Sequence, residues 1–164
     1  MKQDVAEPLD QFITPEFKDR FIETFLSPSV MDGKTYGLPI AASARAMYYN
    51  KELFEKAGIT EPPKTWDELK AAAEKISALG GGVYGYGLQG KEIETDVYYY
   101  YAMWSQGVEI LDKDGKSGLS SDGAIAAAKI YKELIDKKLT QPGVTSFSRE
   151  DVQNLFKQGK VGMM

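Results

Sequence analysis

The sequence predicts an α/β fold, in which helices and short strands alternate along the chain. Capped helical segments recur, short apolar runs containing glycine lie between them, and tight turns separate the two kinds of segment. The length of 164 residues suits one domain, or one domain with part of another. The chain contains no internal repeat and no low-complexity segment.

The first quarter of the chain predicts one helix, a turn and an extended segment. Thr14 is the expected cap, and the helix should run from Pro15 to the Ser-Pro-Ser segment at 27–29. A tight turn over 31–34 should lead into a strand at 35–40. The helix carries an apolar stripe at helical spacing, formed by Phe17, Phe21 and Phe25.

The middle of the chain begins with small residues in an extended context at 41–44, followed by an expected strand at 45–49. Asn50 should cap a helix over 51–57, which Gly58 ends. Further elements follow in order: a helix from a Thr65/Glu68 capping box to Leu79, a glycine stop at 80–82, and a strand at 83–88.

The last third predicts helices and turns with clear boundaries. Asp96 is the expected cap of an aromatic helix that ends near 106–107. The remaining expected elements are a hairpin-like turn at 112–115, a long helix over 123–137 started by Ser121 or Asp122, a helix over 149–158 capped by Ser148, and a strand from Val161. We expect the chain to end inside this strand, as a fragment of a longer protein would.

Composition removes several classes of function. A formal charge of −4 gives no attraction to nucleic acid or to an anionic membrane. No apolar run approaches the roughly 18 residues that span a bilayer, and residues 1–4 do not lead into a signal peptide. Cysteine and histidine are absent, which excludes disulfides, thiolate chemistry, the usual zinc sites and histidine-based triads. We expect no cofactor and no metal.

Two glycine- and aspartate-rich segments have plain structural interpretations. The segment 112–115 is similar to the front of a calcium loop, but the later acidic ligands are out of register, so a surface turn is expected. The glycines at 80–82, 85, 87 and 90 lack the G-K-[ST] of a phosphate loop. They indicate a helix stop followed by a closely packed strand.

An acidic loop and four consecutive tyrosines form the candidate site. Glu92, Glu94 and Asp96 lead directly into tyrosines 98–101 and then Trp104. Four adjacent tyrosines point all round a helix, so some of them must face solvent, a partner or a ligand. Aromatic faces and carboxylates suit a sugar. Two alternatives remain open: a solvated loop with one or two buried rings, and a carboxylate pair of a glycosidase.

Three segments together resemble the extracellular solute-binding proteins of carbohydrate ABC importers, the group that includes maltose-binding protein. They are 32–39 (DGKTYGLP) continuing to 48–54 (YYNKELF), then 58–59 followed by 62–69 (PPKTWDEL), and finally 156–164 (FKQGKVGMM). The resemblance covers nearly the whole chain, but only the middle of a family member.

The resemblance implies a type II periplasmic-binding-protein-like fold, represented mainly by an incomplete C-terminal lobe. Residues 1–40 would end the first segment of the N-terminal lobe, 41–43 would be the hinge crossing, and 44–164 would be the truncated C-terminal lobe. A hinged closure around the ligand, without catalysis, is the implied mechanism. We expect this chain alone to bind sugars poorly, because only one wall of the cleft is encoded.

The resemblance also implies a function, a location and a set of contact residues. The complete protein would bind a carbohydrate outside the cytoplasmic membrane, in the periplasm or as a cell-surface lipoprotein, and deliver it to the membrane permease of an ABC importer. The alternatives are another polar solute, such as a glycerol phosphate ester or a polyamine, and a carboxylate-based glycoside hydrolase. The expected ligand-binding residues are Ser43, Arg45, Glu94, Asp96, Tyr98, Tyr101 and Trp104.

Two structural expectations complete the sequence reading. If the aromatic helix lines the cleft, at least one of Tyr98, Tyr101 and Trp104 should be substantially exposed beside Glu94 or Asp96, on the side of Ser43. The phenylalanine stripe at 17, 21 and 25 should be covered, either by the rest of the chain or by self-association of the fragment.

Overall fold

The structure, a computed structural model, describes residues 6–91 and 95–164. The chain divides into two compact units, Met1–Ala46 and Met47–Met164. The predicted lobe boundaries at 1–40, 41–43 and 44–164 stay a prediction. Across the described ranges, no helix combines the length and the apolar character that crossing a bilayer requires.

The first unit consists of very short elements. These are helices α1 (Pro15–Lys18) and α2 (Glu23–Leu26), a 3₁₀ turn (Ser27–Ser29), and strands β1 (Val30–Met31) and β2 (Lys34–Thr35). The two strands pair antiparallel around the predicted turn. Asp32 and Gly33 both have positive φ, 50° and 74°, which matches the right-handed twist of a two-residue hairpin.

The prediction of one continuous helix here is wrong. Thr14 caps α1 as expected, its hydroxyl accepting from Phe17 N at 3.3 Å. Ile22 is extended, however, with φ −68° and ψ 125°, and it separates α1 from α2. Phe17 and Phe21, both ahead of this break, meet edge to face at 5.5 Å, whereas Phe25 beyond it is 42% exposed and not covered as expected. The three phenylalanines therefore do not form one helical stripe.

Asp10 organises the first unit. Its carboxylate accepts from Thr35 N at 2.9 Å and from the Thr35 hydroxyl at 3.2 Å, and it also binds the Lys18 ammonium. Lys18 first, and then the Thr35 amide, lower the pKa of Asp10 to about 2. One side chain thus ties α1 to the hairpin, and Thr35 is buried as a result.

The second unit contains the alternating helices and strands that define the α/β class, which confirms the predicted class. Its elements are α3 (Lys51–Lys56), α4 (Trp66–Ser77), β3 (Tyr84–Tyr86), α5 (Thr95–Ser105), α6 (Asp122–Asp136), a 3₁₀ turn (Val144–Ser146), α7 (Arg149–Lys157) and β4 (Val161–Met163).

The predicted helix caps are confirmed in this unit. Asn50, Thr65, Ser121 and Ser148 each accept from a backbone N–H three residues on. The box at Thr65 differs in one respect, because the Glu68 carboxylate accepts from Lys64 N rather than from Thr65 N. Asp96 lies in the first turn of α5, which begins at Thr95, and is not its cap.

The predicted strands are shorter than expected because irregular segments replace regular pairing. The strand predicted at 35–40 ends at Thr35, and Pro39 has no N–H to continue a ladder. The strand predicted at 45–49 is a single antiparallel bridge from Tyr49 to Met163. The strand predicted at 83–88 is Tyr84–Tyr86.

Strands β3 and β4 pair in parallel, with Tyr84 opposite Val161 and Tyr86 opposite Met163. On the outer side of β3, Tyr86 N donates to Leu139 O at 3.0 Å. The Gln141 amide then bonds both the N–H and the C=O of Leu88, at 3.1 and 2.5 Å. A buried side chain thus continues the ladder past the end of β3.

Helix α4 packs against this sheet where glycines replace side chains. A Cβ at Gly85 would lie 2.2 Å from Ala73 O, and a Cβ at Gly162 would lie 2.6 Å from Ile76 Cδ1. The close packing predicted for the 83–88 segment is therefore confirmed. Around this contact lies the main core, formed by Leu53, Phe54, Leu69, Ala72, Ala73, Ile76, Tyr86, Leu88, Leu134, Leu139 and Met163.

A second, smaller core joins α5 to α6. Its fully buried members are Ala102, Met103, Ala124 and Ala127. Three of these four side chains are single methyl groups, and the larger side chains packed around them, among them Tyr99, Ile130 and Tyr131, are only partly buried.

An ionic network joins α4 to α6 at the surface. Glu133 bonds Lys137 at 2.8 Å and Lys70 at 2.9 Å, and those lysines also bond Glu74 and Asp67. Lys137 first, and then Lys70, lower the pKa of Glu133 to about 2. The network therefore stabilises the folded state only while Glu133 is ionised.

We expect Gly85→Ala to destabilise the protein by roughly 1–3 kcal/mol or more, because the added methyl group meets backbone that cannot rotate away. Urea unfolding would measure the change. Gly37→Ala is the control, since its Cβ would meet only the Ser29 side chain, with Oγ at 3.3 Å and Cβ at 3.6 Å. Equal stability of Gly85→Ala and the unaltered protein would contradict the packing described.

We expect Glu133→Gln to lower the urea midpoint at pH 7, and the difference from the unaltered protein to shrink as the pH falls. The folded pKa is depressed from 4.5 to about 2, so the stabilisation is complete above the unfolded value and is lost on approach to the folded one. The control is Glu55→Gln on α3, at an exposed carboxylate. A difference independent of pH between 5 and 2 would count against the network.

Candidate functional site

The predicted ligand-binding residues fall into three groups. Ser43 and Arg45 lie in the first unit and are exposed. Asp96, Tyr98, Tyr101 and Trp104 lie on α5 in the second unit. Glu94, like Glu92, lies outside the described residues. A site shared by Ser43, Arg45 and α5 stays a prediction, whereas the residues of α5 can be examined together.

The aromatic side chains of α5 form a continuous set of contacts. Tyr98 meets Tyr101 at 5.8 Å, Tyr101 meets Trp104 at 5.9 Å, and Trp104 meets Tyr100 at 6.1 Å between ring centroids. The aromatic row is defined here as Tyr98, Tyr101, Trp104 and Tyr100. These spacings are typical of favourable tilted and edge-to-face ring pairs.

Exposure differs along the aromatic row. Trp104 is 45% exposed, whereas the three tyrosines are half-buried. The expectation that at least one ring would remain exposed is therefore met by Trp104. Its predicted position beside Glu94 and on the side of Ser43 stays a prediction.

Trp104 stays exposed because the opposite face of α5 supplies the main packing contact. Ala102 and Met103 are fully buried against Ala124 and Ala127 of α6. Tyr99 also turns towards α6, where its hydroxyl donates to Ala124 O at 2.7 Å. Tyr99 and Tyr100 both pack against this cluster, and Tyr99 adds the hydrogen bond to α6.

One carboxylate lies next to the aromatic row. Asp96 occupies the first turn of α5, and its Oδ1 accepts from Val97 N at 2.9 Å. Burial first, and then the nearby Asp96 carboxylate, raise the pKa of Tyr100. Burial first and then Tyr98 raise the pKa of Tyr86 to about 12. These two phenols keep their protons at neutral pH and can both donate and accept hydrogen bonds.

The carboxyl edge of the sheet leads to this helix. Strands β3 and β4 are parallel, so their carboxyl ends lie at one edge, and the chain leaves β3 there towards α5. Ligands of open α/β sheets bind outside the carboxyl ends of strands. Helix α5, which carries the aromatic row, is the next element after β3 along the chain.

The list of expected ligand-binding residues omits four residues whose contacts or burial stand out in the structure. Tyr100 belongs to the aromatic row through Trp104, and Tyr131 of α6 donates to Tyr98 O at 2.6 Å. In the part of the chain that the structure describes, Gln89 Nε2 and Thr95 Oγ1 are buried polar atoms without a hydrogen-bond partner. The place of Gln89 directly after a predicted strand was the signal that could have identified it.

The described ranges contain no candidate metal site. No group of three or more acidic, histidine or cysteine side chains occurs there with a geometry that could hold an ion. The site chemistry available on α5 is therefore that of aromatic faces, phenol hydroxyls and a carboxylate.

Two solved structures with similar folds illustrate the likeness. One is an ABC transporter solute-binding protein from Thermotoga lettingae TMO, bound with alpha-D-tagatose. It is 31% identical with a TM-score of 0.87, over 99% of this chain and 43% of that one. The other is maltose-bound MalE3 of T. maritima, 31% identical with a TM-score of 0.82, over 97% of this chain and 41% of that one. The predicted type II fold, present here in part, is confirmed.

Sequence relationships agree with the fold. A protein of Brucella abortus (strain 2308) that is named as a binding protein is 77% identical over 164 residues. That match covers 100% of this chain and 40% of the relative, so the chain spans two fifths of its length. The family of bacterial extracellular solute-binding proteins matches over residues 1–164. The chain belongs to this family, whose members are binding proteins and not enzymes.

Proposed function

We propose that the complete protein captures a carbohydrate outside the cytoplasmic membrane and delivers it to the permease of an ABC importer. The observation that carries this proposal is the aromatic row on α5, with exposed Trp104 at one end and Asp96 one turn from Tyr100. The family, described as extracellular, supports the location. The protein would be either periplasmic or a cell-surface lipoprotein.

The chemistry of the aromatic row suits a sugar. An aromatic face covers the apolar C–H face of a pyranose, as Trp104 and Tyr101 could do. Phenol hydroxyls donate to and accept from sugar hydroxyls, and a carboxylate such as Asp96 accepts two hydroxyl hydrogen bonds at once. Together these groups provide apolar contact area and directional hydrogen bonds, and they do not require a charged ligand.

The same geometry disfavours a glycerol phosphate ester. The charged group placed against the aromatic row is the carboxylate of Asp96, which would repel a phosphate. The two sugar-bound neighbours, with alpha-D-tagatose and maltose, support the class of ligand and leave its identity and length open. A monosaccharide and an oligosaccharide are both compatible with the row.

We infer that binding is coupled to closure of two lobes about the segment that contains Ser43 and Arg45, which would contribute polar contacts. Glu94 would add a second carboxylate to the ligand contacts. Self-association through Phe17, Phe21 and Phe25 is not part of this proposal. The separation of α1 from α2 at Ile22 removes the continuous stripe on which that idea depended.

The proposal predicts opposite effects at two neighbouring residues of α5. In the complete protein, Trp104→Ala should weaken sugar binding by about 10- to 100-fold, with little loss of stability, because the ring is exposed. Met103→Ala should instead cost roughly 2–5 kcal/mol of stability, since Met103 is fully buried. Calorimetric titration with D-tagatose, maltose, maltotriose and glycerol 3-phosphate would measure affinity, and thermal unfolding would measure stability.

Several outcomes would overturn the proposal. They are binding of glycerol 3-phosphate in preference to every sugar, release of a hydrolysis product, or unchanged sugar affinity in both Trp104→Ala and Tyr101→Ala. Loss of stability in Trp104→Ala with unchanged affinity would make the aromatic row a packing feature.

A further inference from the structure

The fully buried part of the interface between α5 and α6 consists mainly of alanine side chains. Helix α6 presents Ala124 and Ala127 to α5, which inserts Met103 as its one long fully buried side chain. Gly123 lets the chain after α5 approach closely, since a Cβ there would lie 2.3 Å from Val108 Cγ2. Helices keep their rotation and register when side-chain ridges enter grooves, and alanine ridges are shallow. Half-buried Tyr99, Tyr100, Ile130 and Tyr131 pack around this alanine contact, so the orientation of α5 depends on these larger side chains as well as on the fully buried ones.

Two tyrosine hydroxyls, one from each helix, fix the orientation of α5 relative to α6. Tyr99 of α5 donates to Ala124 O at 2.7 Å, and Tyr131 of α6 donates to Tyr98 O at 2.6 Å. Ala124 and Tyr131 are seven residues apart, which is about 10 Å along α6 at the usual rise per residue. Neighbouring residues of α5 are thus held at two well-separated points, which opposes both rotation and sliding.

Helix α4 holds the other end of α5. Trp66 Nε1 donates to the Ser105 hydroxyl at 2.7 Å, and the Trp66 ring packs edge to face on Tyr131 at 5.6 Å. The aromatic row from Tyr98 to Trp104 therefore lies between its two attachments. None of Tyr99, Tyr131 and Trp66 belongs to the row itself.

We propose that Tyr131 is a positioning residue, which sets the direction of the aromatic row through Tyr98 together with Tyr99 and Trp66. This inference rests on the proposed function, because it assumes that the row stacks on a carbohydrate. Such contacts tolerate displacements of only about 0.5 Å or 10–20°. A small rotation of α5 would move all four rings together, so a hydroxyl remote from the sugar controls affinity.

The test compares Tyr131→Phe with Tyr84→Phe in the complete protein. Tyr131→Phe keeps the ring against Trp66 and removes one hydrogen bond. Tyr84→Phe removes a half-buried tyrosine hydroxyl from β3, for which the described residues offer no hydrogen bond. Hydrogen exchange of the amides of 95–105 reports the attachment of α5. Calorimetric titration, at a temperature where every variant is fully folded, reports affinity for maltose, or for D-tagatose if that sugar binds more tightly.

We expect Tyr131→Phe to speed exchange in 95–105 and to weaken sugar binding by about three- to tenfold, the loss typical of one hydrogen bond. Tyr99→Phe should act in the same direction, and Tyr84→Phe should change neither quantity. A purely structural role would lower the unfolding temperature of Tyr131→Phe without changing its affinity.

The inference and the proposed function fail in different ways. If Trp104→Ala and Tyr101→Ala spare affinity, or if no sugar binds, the proposed function fails and the inference falls with it. If those variants weaken binding but Tyr131→Phe and Tyr99→Phe do not, only the positioning role is wrong. Unchanged exchange in 95–105 for both tyrosine variants would likewise overturn it.

Discussion

The second unit depends on the close contact between α4 and the β3–β4 pair, where a Cβ does not fit at Gly85 or Gly162. That contact places α4 at a fixed distance from the sheet, and with it Trp66 at the first position of the helix. Trp66 in turn reaches Ser105, the last residue of α5. The two glycines in the strands therefore affect the position of the end of α5 that carries Trp104.

Helix α5 cannot expose its aromatic rings to a ligand and also bury them in its core. A helix that presents several large rings outward has few apolar side chains left for its own core, and α5 buries only Ala102 and Met103. Hydrogen bonds from Tyr99, Tyr131 and Trp66 add direction to the apolar contact that these same side chains make. Polar attachments of this kind suit a binding surface, because they orient a helix without covering the face that meets the ligand.

Local signals in the sequence were good predictors of helix boundaries. Asn50, Ser121 and Ser148 act within three residues of themselves, so their capping roles could be inferred without knowledge of the fold. Ile22 could not be interpreted in this way. Its extended backbone interrupts an otherwise regular apolar periodicity, in a unit whose main attachment is a contact from Asp10 to Thr35 across 25 residues of sequence.

The residues of the candidate site stay a prediction, and their arrangement on α5 could not be inferred from the sequence. Consecutive tyrosines beside carboxylates drew attention to α5, and four of the seven expected contacts lie on that helix. Which tyrosine faced inward was not predictable, because the choice of Tyr99 depends on the Ala124 carbonyl of another helix. Tyr131 was missed for the same reason, since its partner is a backbone atom 33 residues away.

The covered edges of the small β3–β4 sheet affect how the protein behaves at high concentration. Leu139 and the Gln141 amide occupy the outer side of β3, and Tyr48 and Asn50 bond the outer side of β4. Open strand edges are templates for pairing with other chains, which leads to aggregation. Here irregular segments fill the hydrogen-bonding positions that a neighbouring molecule would need. The Gln141 side chain therefore protects solubility, although it is almost completely buried.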